Sequence, residues 1–184
     1  MNEIPMPTNA LPGSPEKKQE YRDAQKVLRL LAKELKVLGF ERTKTTFFVR
    51  PTELGIEFIH VHKFSFSPAF RVHFGFRVRT DEFPAAHLNG PSSDEIGDPA
   101  DPARRRYNFD FNAVESSWRS CARAMYACAS IEGEEWFAAM SNTKALLAPA
   151  SPLTQKARAA LRLELENPAV AEASEATRHA LNVA

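Results

Sequence analysis

The chain lacks the features by which membrane proteins and several enzyme classes are most readily identified. None of its apolar runs approaches the length of about 18 residues that spans a bilayer. Its seven glycines form neither a GxGxxG loop nor a phosphate-binding loop ahead of Lys-Ser or Lys-Thr. A GxSxG elbow and an HExxH helix are absent too. The sequence therefore gives no sign of a membrane span, a common nucleotide-binding loop or these two hydrolase sites.

Cysteine is scarce as well. Cys121 and Cys128 are the only two, and both fall on the apolar face of one predicted helix. Seven residues of helix separate two α-carbons by about 10 Å, whereas a disulfide tolerates about 7 Å. We therefore expect two buried thiols in a reducing compartment, without the exposed, electropositive setting of a nucleophilic cysteine.

A strong charge of either sign is also missing, because the 184 residues carry a formal net charge of +1. Attraction to nucleic acid or to a membrane surface would have to be local. The balance of 43% hydrophobic and 26% charged residues is typical of a globular protein. The first residues, MNEIPMPTNALPGSP, have neither the basic start nor the apolar core of a signal peptide, so we expect a cytoplasmic protein.

The first half of the chain does contain clear helix and strand patterns. Residues 1–13 hold three prolines without periodicity and are predicted to be disordered. Ser14 followed by Pro15 is typical of a helix start, and apolar residues then recur at three- and four-residue steps up to Gly39, which marks a left-handed helix end. Three strands are predicted next, at 45–50, 55–65 and 69–79, with a turn around Ser67-Pro68.

Residues 80–103 change character, with four prolines, six acidic residues and no Lys or Arg. We predict a long irregular loop, which at this length is usually functional or disordered. Alternating aromatic residues at 107–111 predict a fourth strand. Asn112 and Glu115 are spaced as a capping box and predict a helix, which Gly133 would join to the next one.

The end of the chain predicts two short Ala-rich helices, beginning at Ser151-Pro152 and at Asn167-Pro168. Residues 14–150 are expected to form one domain, and residues 151–184 a helical appendage packed on it. The predicted fold class is α+β: an N-terminal helix packed on an antiparallel sheet of about four strands, followed by C-terminal helices.

The run Leu38-Gly39-Phe40, followed by Arg42, Phe47 and Arg50 and then the alternating hairpin, resembles the bacterial domain of unknown function 4304 family. The likeness covers roughly residues 24–80, with weaker agreement around Trp136-Phe137. This sequence departs from the family where Asn and Gln are usual, because positions 60, 62 and 73 are His. The resemblance implies the helix and sheet assignments, and it implies no activity because none is established for the family.

Three of the five histidines, His60, His62 and His73, lie in the predicted hairpin. His60 and His62 share a face in any register, and His73 joins them only if the hairpin loop has an even number of residues. A four-residue loop would place His62 opposite His73, whereas an odd loop would turn His60 and His62 towards the phenylalanines. We favour the even register, because burying imidazoles without hydrogen-bond partners costs free energy. This register leaves Phe64 and Phe66 on the polar face.

Histidines gathered on one face raise the possibility of a metal centre. Three imidazoles with an open fourth position would suit zinc or another transition metal, and the chain would then be a metal-binding protein or a metal-dependent hydrolase built on His60, His62 and His73. The alternative is that all three are ordinary polar strand residues. We favour this alternative, since no carboxylate nearby in the sequence is placed to orient their rings.

Basic residues suggest a nucleic-acid surface, which we also weigh. Residues 39–79 hold seven Lys or Arg against three acids, and Arg104, Arg105 and Arg106 follow the acidic loop. With Phe64 nearby, these residues would suit single-stranded nucleic acid. The six acidic residues of the loop and the near-zero net charge argue against it.

No nucleophile, base and oxyanion donor assemble in the sequence, so we expect a non-catalytic binding protein. Its partner is expected to be another protein, recognised by charge complementarity, and neither nucleic acid nor a membrane. A toxin-neutralising immunity protein would fit this description by analogy. The predicted surface combines the acidic loop with the polar sheet face, whose residues are His60, His62, Phe64, Arg71, His73, Arg77 and Arg79.

Overall fold

The computed structural model describes residues 11–168 and 172–183, so most of the segment predicted to be disordered lies outside the described residues. The strands are β1 (Glu41–Lys44), β2 (Phe47–Pro51), β3 (Ile56–Lys63), β4 (Phe70–Arg77), β5 (Gly97–Asp98) and β6 (Asp101–Arg105). The helices are α1 (Pro15–Leu35), α2 (Glu115–Cys128), α3 (Glu134–Met140), α4 (Thr143–Leu147), α5 (Gln155–Glu166) and α6 (Glu175–Leu181). The predicted α+β class is confirmed. No described helix has the length and apolar character needed to cross a membrane.

Helix α1 begins and ends where the sequence predicts. The Ser14 hydroxyl accepts a hydrogen bond of 3.1 Å from the backbone N–H of Lys17, which satisfies one of the free donors of the first turn. A short 3-10 turn, Lys36–Leu38, then leads to Gly39. The φ angle of Gly39 is 82°, in the left-handed region that favours glycine.

Strands β1 to β4 form one antiparallel sheet in sequence order, and its inner face carries the main core. Helices α1 and α2 pack on this face, and a π-helical segment, Ala129–Gly133, continues α2 into α3. Gly133 therefore lies at the joint that the sequence predicts. A β-carbon on Gly133 would come 2.7 Å from the ring of Phe74, so only glycine allows this close approach. The inner-face strand residues of the core are Phe48, Ile59, Val61, Phe70, Val72 and Phe74.

The outer face of the sheet is covered over one half by the end of the chain. Ala180 and Leu181 of α6 pack on Val49, Ile56 and Phe58, and all five side chains are buried. In a strand that alternates apolar and polar residues, the second face of the sheet normally contacts water. Here part of that second face is apolar and forms a second, smaller core with α6.

Arg77 fastens this covering segment to β4. Its side chain is only 2% exposed, and its guanidinium donates to the hydroxyl of Thr177 in α6 at 2.6 Å. It also donates to the backbone carbonyls of Asp81, Phe83 and Ala85 at 2.8, 2.6 and 2.7 Å. With these four hydrogen bonds, the buried guanidinium of Arg77 acts as a structural clamp that joins the sheet to the loop after β4 and to α6.

The free edge of β4 is covered by the segment 89–93. The side-chain amide of Asn89 both donates to the carbonyl of Phe76 and accepts from its N–H, each at 3.0 Å. Further along, the N–H of Ser93 donates to the carbonyl of Val72 at 2.8 Å. The region 80–103 is thus neither free nor wholly irregular, because it lines the sheet edge and forms most of the β5–β6 ribbon.

The predicted fourth strand at 107–111 is wrong, and β1 takes its place in the sheet. The segment makes a single isolated bridge, between Ala69 and Asp110. Phe109 and Phe111 are nevertheless buried in the main core. The alternation at 107–111 therefore reflects alternate burial and not strand pairing.

Three predicted helix starts also differ from the structure. The capping residue of α2 is Val114, and the Asn112 side chain accepts from the Val114 N–H at 2.9 Å instead of forming a capping box. Helix α5 is capped by Thr154, three residues after Ser151. Helix α6 is capped by Ser174, well after Asn167-Pro168, and residues 169–171 lie outside the described residues.

The segment 151–184 makes contacts with the sheet in two places. Leu153, Ala157 and Leu161 pack with Phe76 and Val78 at one end of β4, while α6 lies on the outer face. The described parts of this segment therefore pack on the sheet. Its separation from a 14–150 domain stays a prediction.

Candidate partner-binding surface

The part of the outer sheet face beyond the α6 contact carries five aromatic or imidazole rings and one guanidinium. We call this part the open half-face. Strand alternation places five of its residues on β2, β3 and β4, and the sixth follows β3 directly. It consists of Phe47, His60, His62, Phe64, Arg71 and His73.

The strand register brings the three histidines to one face. His60 lies opposite His73, and His62 lies opposite Arg71. The predicted even register is confirmed, but the predicted pairing of His62 with His73 is wrong by two residues. The reason is the length of the loop, which runs over six residues, 64–69, and is closed by a hydrogen bond from the Phe64 N–H to the carbonyl of Ala69 at 3.0 Å.

The rings of the open half-face form a continuous row. The Phe47 and His60 ring centres are 4.5 Å apart, and His60 is 6.2 Å from His73 with the two planes at 26°. His60 is also 6.4 Å from His62, which extends the row along β3. These spacings are those of neighbouring cross-strand and same-strand residues.

Burial keeps the centre of this row uncharged at neutral pH. The pKa of His60 is lowered to about 4, first by burial and then by the charges of His73 and His62. The pKa of His73 is also lowered, first by burial and then by the charge of Arg71. A neutral imidazole offers one donor and one acceptor. In the described part of the chain, the Nδ1 atom of His60 is buried without a hydrogen-bond partner.

At one end, the open half-face continues into a groove of about 590 Å³. Phe64 and Phe66 lie at its entrance with ring centres 5.2 Å apart, and Phe66 is 63% exposed. The Arg71 guanidinium lies 5.0 Å from the centre of the Phe64 ring and pairs with the carboxylate of Asp94. Arg105 reaches the same carboxylate at 3.1 Å. The groove is therefore lined by aromatic rings and by both signs of charge.

Two residues of the predicted surface do not contribute to an accessible site. Arg77 is buried as described above, and Arg79 donates to the carbonyls of Thr52 and Glu53. Both residues occupy polar positions of an alternating strand, and this pattern predicts surface exposure. Segments that are distant in the sequence cover both side chains, and the local sequence pattern does not predict this cover.

The three histidines do not form a metal centre in this structure. Within residues 11–168 and 172–183, no three His, Cys, Asp or Glu side chains are grouped so as to hold a metal ion. The three imidazoles therefore do not fit the three-ligand zinc site that the sequence suggested.

The cysteines are not nucleophiles in this fold. Burial raises the pKa of both Cys121 and Cys128 to about 12, so each thiol stays protonated at neutral pH. The Cys121 Sγ lies 3.1 Å from the carbonyl of Phe109, within the core. Both cysteines are buried and free, as the sequence predicts.

Sequence reasoning missed Phe47, and it did not predict that Asp94 of the acidic loop pairs with Arg71 and Arg105. Phe47 lies in a predicted strand, but it is placed beside His60 by the pairing of β2 with β3. The sequence has no local signal for that pairing. Asp94 belongs to the acidic loop that the sequence singled out, but its two arginine partners are defined only by the fold.

Comparisons with known proteins leave the family open. A scan against protein-family models, a search of curated proteins and a search of solved structures found no match. The resemblance to the domain of unknown function 4304 family therefore stays a prediction.

Proposed function

We propose that this protein is a non-catalytic binding protein and that it binds a protein partner on the open half-face and the adjoining groove. One observation carries the proposal. The chain covers one half of its outer sheet face with α6, and the other half presents a row of rings that ends in an exposed phenylalanine. Exposed aromatic residues on a rigid surface are typical anchors of protein interfaces.

The loop that carries Phe66 is held in place by an ion pair whose side chains are only 10% and 11% exposed. The Lys63 ammonium pairs with Glu20 of α1 and donates to the carbonyls of Phe64 and Ser67, the first at 2.8 Å. Little conformational entropy is therefore lost when a partner contacts the loop. A rigid anchor of this kind supports a binding function more than a catalytic one.

Photo-crosslinking tests the proposal. A benzophenone amino acid placed at His62, in cells that contain the natural partner, should yield a discrete crosslinked protein. The same amino acid at Lys33, an exposed position of α1, is the matched control. The captured protein is then purified and titrated against the chain by calorimetry. Phe66→Ala should weaken binding about tenfold or more, the effect expected of an interface anchor.

Two results would contradict the proposal. One is the same crosslinked species from His62 and Lys33. The other is a purified partner whose dissociation constant is unchanged by Phe66→Ala and by Arg71→Ala, since the partner would then bind elsewhere on the chain.

A further inference from the structure

The chain's own segments show what kind of group the outer sheet face accepts. Strands β1 to β4 place three Lys or Arg on this face, Lys44, Arg71 and Arg77, against one carboxylate, Glu41. The Lys44 ammonium donates to the carbonyls of His179 and Ala180, at the C-terminal end of α6, at 2.6 and 2.9 Å. The negative end of the α6 dipole thus lies against a cation of the sheet.

The other two cations are met in the same way. Arg77 is surrounded by three backbone carbonyls and a hydroxyl, and Arg71 is paired with the carboxylate of Asp94. Among the described residues, the segments that contact Lys44, Arg71 and Arg77 therefore all do so through oxygen acceptors. This is the charge complementarity expected between a positive surface and its cover.

Acceptors are missing at the centre of the open half-face. No side-chain hydrogen bond joins His60, His62 or His73 to any other described residue, and the Nδ1 atom of His60 is buried without a partner. The three rings lie beside one another and beside Phe47 and Phe64, while Asp94 and Glu95 act on His73 through their charge. Each imidazole carries at least one N–H donor. His62 is exposed, so its donor is accessible to a partner.

The rim of the groove has a surplus of guanidinium groups. Arg71 and Arg105 share the carboxylate of Asp94, and the side chain of Arg105 is 60% exposed. The adjacent carboxylate of Glu95 accepts from the backbone N–H of Ser92 at 2.8 Å. In all, four arginines and three aspartates line the groove. Because Arg105 is largely exposed and reaches Asp94 with one nitrogen, its other N–H donors are accessible to a second carboxylate.

We propose that the open half-face binds a carboxylate-bearing segment of the protein partner, with acidic side chains directed at His62 and Arg105. This inference rests on the proposed function, and it adds the chemistry of the partner. A basic segment or nucleic acid is the competing occupant. The first would meet Arg71 and Arg105 with like charge. The second needs a continuous track of cations for its phosphates, and the carboxylate of Asp94 between Arg71 and Arg105 interrupts such a track.

The probe for this inference is acetylated, amidated hexaglutamate, compared with hexalysine and with hexaserine of the same length. The full chain is titrated with each peptide while the five histidine ring signals are followed by NMR. Hexaglutamate should shift the rings of His62 and His73 and leave those of His87 and His179 in place. His87 and His179 lie outside the open half-face and serve as internal controls.

Two variants sharpen the test. His62→Glu places a negative charge on an exposed position and should weaken hexaglutamate binding about tenfold, through like-charge repulsion. Gln155→Glu makes the same change of charge at an exposed position of α5 and should leave the binding unchanged. Unchanged heat-unfolding midpoints establish that both variants are folded.

The outcomes separate the two proposals. Stronger binding of hexalysine, equal shifts at all five histidines, or no shift with hexaglutamate would overturn the carboxylate proposal. None of these results affects the crosslinking experiment, which asks only whether a protein binds at the open half-face. Conversely, a crosslinked partner with a basic or neutral contact segment would support the proposed function and overturn this inference.

Discussion

His60 and His73 face each other across β3 and β4 with ring centres 6.2 Å apart and nearly parallel planes. Neither ring has a hydrogen bond to a side chain among the described residues, and burial lowers the pKa of both histidines. Both rings are therefore neutral at neutral pH, and they lie between Phe47 and Arg71 on the sheet. Its protonation state is therefore coupled to the stability of the sheet.

The first prediction concerns stability against pH. The pKa of His60 is about 4 in the folded chain and about 6.5 when unfolded, so the unfolded chain binds more protons between these values. His60 thus contributes stability above pH 6.5 that is lost as the pH falls towards 4, by roughly 1 to 2 kcal/mol after solvent screening of the partly exposed ring. Urea unfolding of the wild type and of His60→Phe at pH 7.5 and pH 5 measures the difference. Equal losses in the two proteins would contradict the assignment.

The second prediction concerns the clamp that holds α6. Arg77→Ala removes a buried guanidinium and takes the donor from the carbonyls of Phe83 and Ala85 and from the Thr177 hydroxyl, so the free energy of unfolding should fall by about 3 kcal/mol. The Asp81 carbonyl still accepts from the hydroxyls of Ser174 and Thr177. The backbone amides of α6 should exchange faster with deuterium. Arg119→Ala, which breaks only an exposed ion pair with Glu115, is the control and should cost less than about 0.5 kcal/mol. Similar costs for the two variants would refute the clamp.

The third prediction concerns the contact between Gly75 and Phe58. The two residues are paired across β3 and β4, and a β-carbon at position 75 would overlap the Phe58 ring. Gly75→Ala should therefore destabilise the fold by about 2 kcal/mol, through overpacking. In a Phe58→Ala background the same change should cost much less, because the ring is gone. A double-mutant cycle measures the coupling, and additive effects would show that Gly75 is required for another reason.

The fourth prediction concerns metal. Protein purified without a histidine tag, incubated with zinc and freed of unbound ions should hold well under one zinc per chain by elemental mass spectrometry. The physical reason is that no three His, Cys, Asp or Glu side chains of the described residues are grouped so as to hold a metal ion. His62→Ala should leave the metal content unchanged. One zinc per chain that disappears in His62→Ala would establish the metal centre and displace the binding proposal.

The elements that the sequence predicts correctly are those whose signals are local. Ser14 begins the first helical segment through its side chain, and Gly39 ends it through its left-handed backbone. Hydrophobic alternation determines on which face of the sheet each residue of β3 and β4 lies. The even register follows from this alternation. The exact offset does not, because the six-residue loop is held by Lys63 reaching Glu20, which lies 43 residues earlier in the chain.

The candidate surface is less predictable for the same reason. Arg77 and Arg71 have the same pattern, polar positions of one strand, yet one is buried under α6 and the other borders a groove. What separates them is Thr177, 100 residues after Arg77, and the loop that contains Asp94. Alternation identifies the face of a strand, whereas only the folded chain shows which half of the face is covered.

The segment 89–93 has a consequence for solubility. An unprotected strand edge recruits other chains and is a common origin of aggregation. The opposite edge, β1, has only four residues, three of them charged, and so resists such pairing. On the β4 side, the phenylalanine-rich strand is shielded by a few backbone hydrogen bonds and the amide of Asn89. Local opening of that short segment would expose the β4 edge to other chains, so the segment 89–93 protects the protein against aggregation as well as completing the sheet.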